Sequence, residues 1–64
     1  MKTKYRIGQT VYIIGNNKFI IPMLVINYAY GLYTLKFYGK SGGMRLKEDR
    51  IFESENEASI CLRN

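Results

Sequence analysis

Between Leu32 and Tyr38 every second side chain is large and apolar. Tyr33, Leu35 and Phe37 fall on one parity, and Thr34, Lys36 and Tyr38 on the other. The glycine-rich loop GKSGG, Gly39 to Gly43, follows, and alternation then resumes with Met44 and Leu46 on one side, Arg45 and Lys47 on the other. A period of two belongs to a strand with one buried and one wet face. A short glycine-rich loop between two such runs makes a hairpin. In a chain of 64 residues, everything else must be built around that hairpin.

The flanking segments extend the β pattern. Thr10 to Ile14 is rich in β-branched and aromatic residues, which suit a pleated surface. Ile7, Val11 and Ile13 share a parity and are expected on the core side, with Gly8 as a turn or bulge residue before the strand. GNNK, Gly15 to Lys18, is a turn signal, because Gly and Asn tolerate left-handed backbone. A second strand is expected over Phe19–Tyr28, interrupted at Pro22, which has no N–H to give a ladder, so that Met23–Tyr28 is its regular part. Ile51 and Phe52 make a short last apolar element. The period then changes. Ser54 with Glu57 three residues on is a capping box. Glu53, Glu55 and Glu57 place negative charge at the start of a helix, and Ala58, Cys61 and Leu62 form its apolar stripe.

A chain this short hides only about 60% of the surface its unfolded state exposes, against an ordering cost of roughly 1.5 kcal/mol per residue. Its 47% apolar content, with six Tyr and three Phe, suffices for one compact core. A homodimer would add buried area and remains open. The single cysteine, Cys61, makes no internal disulfide and is expected as a small buried hydrophobe on the last helix. The longest apolar run, Phe19 to Ile26, has eight residues, where a membrane helix needs about twenty. No N-terminal run resembles a signal peptide, so a cytoplasmic protein with no membrane partner is expected.

These elements predict one mostly-β domain over residues 1–64: a five-stranded antiparallel barrel or strongly bent sheet over about 7–53, with a short C-terminal α-helix over about 54–63. The layout resembles the SH3-like small barrels, the group that includes Tudor, chromo-barrel and KOW-type domains. IGQTVYII stands as a first strand after a glycine-led turn, LYTLKFY ends the central hairpin, and GGMRLKEDRIF supplies a fourth strand, a short turn and a last strand. The resemblance implies binding of nucleic acid or peptide by loops and strand faces rather than catalysis. The chain has no Trp, the residue that proline-peptide readers of this group use, and no acidic rim around an aromatic cage.

Charge is distributed unevenly. Net charge is +5, but residues 1–47 carry eight basic side chains and no acid, whereas residues 48–64 carry five acids and two arginines. A wholly basic body attracts polyanions; ordinary solubility charge is the bland alternative. Histidine is absent, so there is no Cys–His pair, and neither a metal site nor a cofactor nor an enzyme activity is expected. GKSGG lacks the spacing of a phosphate-binding loop. The outward positions of the hairpin, Lys36, Tyr38, Arg45 and Lys47, with Lys40 in its turn and Tyr12 on the first strand, form the candidate nucleic-acid face. Cations there would meet phosphates and tyrosine rings would stack on unpaired bases. Exposed strand positions also favour these residue types without any ligand. Tyr28 and Tyr30, near the loop into the third strand, are the candidates for the alternative function, a small protein-binding adaptor or inhibitor, possible as an effector of a nucleic-acid enzyme or the product of a mobile element.

Overall fold

A computed structural model of the chain describes residues 4–63. Four strands form one antiparallel sheet in the order β1-β2-β3-β4: β1 Thr10–Gly15, β2 Phe19–Ala29, β3 Leu32–Phe37 and β4 Gly43–Leu46. A single 3-10 turn, Glu48–Arg50, leads to the C-terminal helix α1, Glu55–Arg63, which packs against β1 and β2. Ile51 and Phe52, expected as a fifth strand, contribute one bridge residue. Phe52 pairs with Tyr12 through two backbone hydrogen bonds, 2.9 and 2.8 Å, on the β1 edge remote from β2. The 3-10 turn ends only at Ile51, so too little extended chain remains before α1 for a ladder.

The two-residue alternation of β3 survives. Tyr33 and Leu35 are buried, Phe37 packs at the core margin and Lys36 is exposed. Val11 and Ile13 of β1 and Met23 and Val25 of β2 complete the same face. Ile7 does not. It sits in the turn from Arg6 to Gln9, closed by the Gln9 N–H donating to the Arg6 carbonyl at 3.0 Å, and is 68% exposed. Gly8, with φ +94°, supplies the left-handed residue that this turn needs. Gly8 and Gln9 then both bond to Val25, a bulge that ends the β1–β2 ladder.

Tyr5 takes the core place that Ile7 leaves. It is 2% exposed, and its hydroxyl donates to the Ile51 carbonyl at 2.9 Å. The Tyr33 hydroxyl accepts from the Lys4 and Tyr5 N–H groups at 2.9 and 3.2 Å. The N-terminal segment, polar by composition, is thus tied to the middle and the end of the chain.

Strand β2 runs unbroken through Pro22. The residue opposite Pro22 is Tyr12, whose N–H and C=O are both turned away toward Phe52, so no donor is required of the proline. The irregularity lies four residues later, where the β2–β3 register shifts between Val25 and Asn27 and leaves Ile26 as the extra residue. Helix α1 begins as its sequence predicts, with the Glu57 N–H donating to Ser54 Oγ at 3.2 Å. Ala58 is fully buried and Leu62 half-buried, but Cys61 is exposed, at the mouth of a ≈ 320 Å³ apolar cleft beside Ile13, Ile21, Leu46 and Phe52. Among its described side chains Ala58 is the buried one, with Ser59 and Leu62 half-buried beside it.

Candidate functional site

The β3–β4 register sets which basic side chains come together. Lys36 lies opposite Gly43 and Arg45 opposite Thr34, so Lys36 and Arg45 are diagonal neighbours on the face remote from the core, about 7–8 Å apart at the backbone. Gly43 is required there, since a Cβ would collide with the Leu35 carbonyl oxygen. It lines a shallow depression of ≈ 530 Å³ together with Ile26, Thr34, Lys36 and Arg45. The bulge in β2 places Ile26 in it, 44% exposed.

A second depression, ≈ 590 Å³, lies beyond Arg45 and is lined by Leu32, Arg45, Lys47 and Arg50, with Asp49 the one acid. Arg45 belongs to both. The result is a basic track along β3 and β4 that runs from Lys36 through Arg45 to Lys47 and Arg50. Arg50 carries no signal in the sequence pattern, because it stands in a 3-10 turn where strand parity does not apply. Only its place four residues after Leu46, at a chain reversal, could have pointed to it.

The track has an aromatic at each end. Tyr38 follows β3 and is 48% exposed, with its hydroxyl 2.6 Å from Thr10 Oγ1, so the ring lies across the outer face of the sheet on the row that holds Thr10, Leu24 and Lys36. At the other end, Tyr30 and Gly31 form the two-residue loop between Ala29 and Leu32, with φ +54° and +78°, and Tyr30 is fully exposed. Leu32, the residue that follows this loop, lines the Lys47 depression.

Three of the expected side chains lie elsewhere. Lys40 is drawn to the core side of the hairpin, its Nζ 4.7 Å from the centroid of the Phe37 ring. Tyr12 is half-buried on β1, two strands from Lys36 and beside Phe52. Tyr28 faces the core side, its ring centroid 4.6 Å from that of Tyr33, which in turn meets Tyr5 edge-on at 5.4 Å. Tyr28 nonetheless stays 39% exposed, two residues from the fully exposed Tyr30.

Among the described residues, ionisation is shifted at Tyr5 and Lys4, and Glu48, next to Lys47, contributes to both shifts. Burial pushes the Tyr5 hydroxyl above the ordinary tyrosine range, partly opposed by the Lys4 ammonium, whose Nζ is 5.5 Å from the ring centroid. Lys4 is shifted upward in its turn, chiefly by Tyr5. Among the described residues no group of His, Cys, Asp and Glu is placed to hold a metal ion, no buried side-chain polar atom lacks a hydrogen-bond partner, and no helix is long and apolar enough to cross a membrane. No protein-family model matches the chain, and neither does any curated protein or solved structure.

Proposed function

We propose that this protein is a non-catalytic nucleic-acid-binding module that uses the β3–β4 face. The observation that carries the reading is the position of Arg45. It lines two adjoining depressions, with Lys36 in one and Lys47 and Arg50 in the other. Four cations, Lys36 on β3, Arg45 on β4, and Lys47 and Arg50 beyond it, with Asp49 the one acid among them, match a run of phosphates, and the depressions between them give the rest of a nucleotide somewhere to sit. The acids of α1, Glu55 and Glu57, stand in its first turn on an element that packs against β1 and β2, away from the two strands of the track.

The SH3-like reading belongs to the same proposal. A four-stranded sheet whose Phe52 reaches back to β1 is what a small barrel becomes when its last strand is cut to one bridge. A cytoplasmic setting, where nucleic acid is at hand, goes with it. The alternative, a small protein-binding adaptor or inhibitor, would use Tyr28, which packs on Tyr33 but is 39% exposed, and the fully exposed Tyr30.

Fluorescence anisotropy with labelled DNA and RNA oligonucleotides tests the proposal, with the Lys36→Glu/Arg45→Glu variant beside the parent and its fold checked by circular dichroism. The expected result is parent binding that weakens steeply with salt, by about 0.7–0.9 in the log–log slope per phosphate met, and no binding by the folded variant. A parent that binds no polymer at low salt overturns the reading.

A further inference from the structure

Tyr30 is the residue least explained by folding. The first position of a two-residue hairpin loop with positive φ strongly favours Asn, Asp or Gly, and a bulky side chain held there is a genuine outlier. Tyr30 has φ +54° and exposes its whole side chain, so no packing compensates for the conformation. It stands two residues before Leu32, which lines the depression that also holds Arg45, Lys47 and Arg50. The other depression is lined by Ile26, the extra residue of the β2 bulge, 44% exposed, together with Lys36 and Arg45.

Resting on the nucleic-acid reading above, we propose that the track takes its polymer single-stranded, with one unstacked base on the Tyr30 ring and another over Ile26. Phosphate recognition alone needs neither feature. The sugar–phosphate surface of a duplex offers nothing to an exposed aromatic face or an exposed apolar side chain, because duplex bases are already covered by their neighbours. A single strand has free base faces, and stacking on an aromatic side chain is the general way of holding them. Ile26 lines the same depression as Lys36 and Arg45, and the Tyr30 loop leads directly into Leu32 at the next one, so bases and phosphates of one strand would be met together.

The test compares single-stranded DNA and RNA oligomers of about ten nucleotides with the duplex of the same sequence, using the parent, Tyr30→Ala, Tyr30→Phe and Tyr30→Asn. The expected result is single strands bound at least tenfold tighter than duplex. Tyr30→Ala is expected to lose about 5- to 150-fold in affinity for the single strand, with Tyr30→Phe equal to the parent. Tyr30→Asn separates folding from binding: it suits the loop backbone, so its melting temperature is expected to rise while its affinity falls with that of Tyr30→Ala. Equal affinity for duplex and single strand, or an unchanged Tyr30→Ala, overturns the single-strand inference while the Lys36→Glu/Arg45→Glu result still upholds the nucleic-acid reading. Absence of binding to every polymer overturns both.

Discussion

Tyr5 shows how one residue couples the ends of a small chain. Its ring is buried against Tyr33 and its hydroxyl satisfies the carbonyl of Ile51. Replacing it by Phe keeps most of the packing and leaves that carbonyl without its donor, at an expected cost of about 1–2 kcal/mol in urea unfolding. The pH dependence follows from the raised Tyr5 hydroxyl, whose ordinary value is 10.0. A group with a raised value in the fold contributes stability that is complete below the unfolded value and is lost as pH climbs through the folded one. Stability should therefore fall above about pH 10, and Tyr5→Phe should flatten that fall in unfolding curves recorded across the alkaline range. Gly43 makes a simpler prediction. Because a Cβ there meets the Leu35 backbone rather than a flexible side chain, Gly43→Ala should cost about 3 kcal/mol, the upper part of the ordinary range, read from the shift in the urea midpoint. At this scale the sequence was least legible. Tyr5 sits in a segment whose neighbours are Lys and Arg, and a tyrosine serves equally well buried or exposed. Nothing local announces that Tyr33, 28 residues away, will anchor it.

Elements were more legible than residues, and most legible where a period ran long. The alternation from Leu32 to Phe37 defined β3 and its buried face, and the Ser54–Glu57 pair placed the start of α1 within one residue. Ser54→Ala should accordingly cost about 1 kcal/mol, seen in urea unfolding followed at 222 nm. The β2 interruption was read at Pro22 because proline is the visible breaker, yet the break falls at Ile26, which carries no breaker signal. The physical reason is that a proline is harmless where its neighbour's backbone groups point elsewhere, as those of Tyr12 do. A bulge, in contrast, is fixed by the need of Val25 and Asn27 to meet Leu35 and Thr34. That bulge places Ile26 in the lining of the first depression. The last strand failed for want of length: between the 3-10 turn and Ser54 only Phe52 can pair.

At the scale of the whole molecule, the charge asymmetry was plain in the sequence, but its arrangement was not. Parity alone placed Lys36, Arg45 and Lys47 together. It could not see that Lys40 folds over Phe37, that Tyr12 lies two strands away, or that Arg50 joins the group through a chain reversal. What distinguishes a built track from ordinary solubility charge is dependence on position. Lys18 is an exposed cation in the β1–β2 turn, at the far end of β2 from the Arg45 row, well beyond the ~10 Å over which 0.1 M salt leaves charges coupled. The decisive measurement is therefore a salt titration of oligonucleotide affinity for the parent, Arg45→Gln and Lys18→Gln, three proteins of which the last two carry the same net charge. A track centred on Arg45 predicts a large loss of affinity and a log–log slope lower by about 0.7–0.9 for Arg45→Gln, with Lys18→Gln close to the parent. Equal, small losses for both variants would contradict it and reduce the basic face to surface charge.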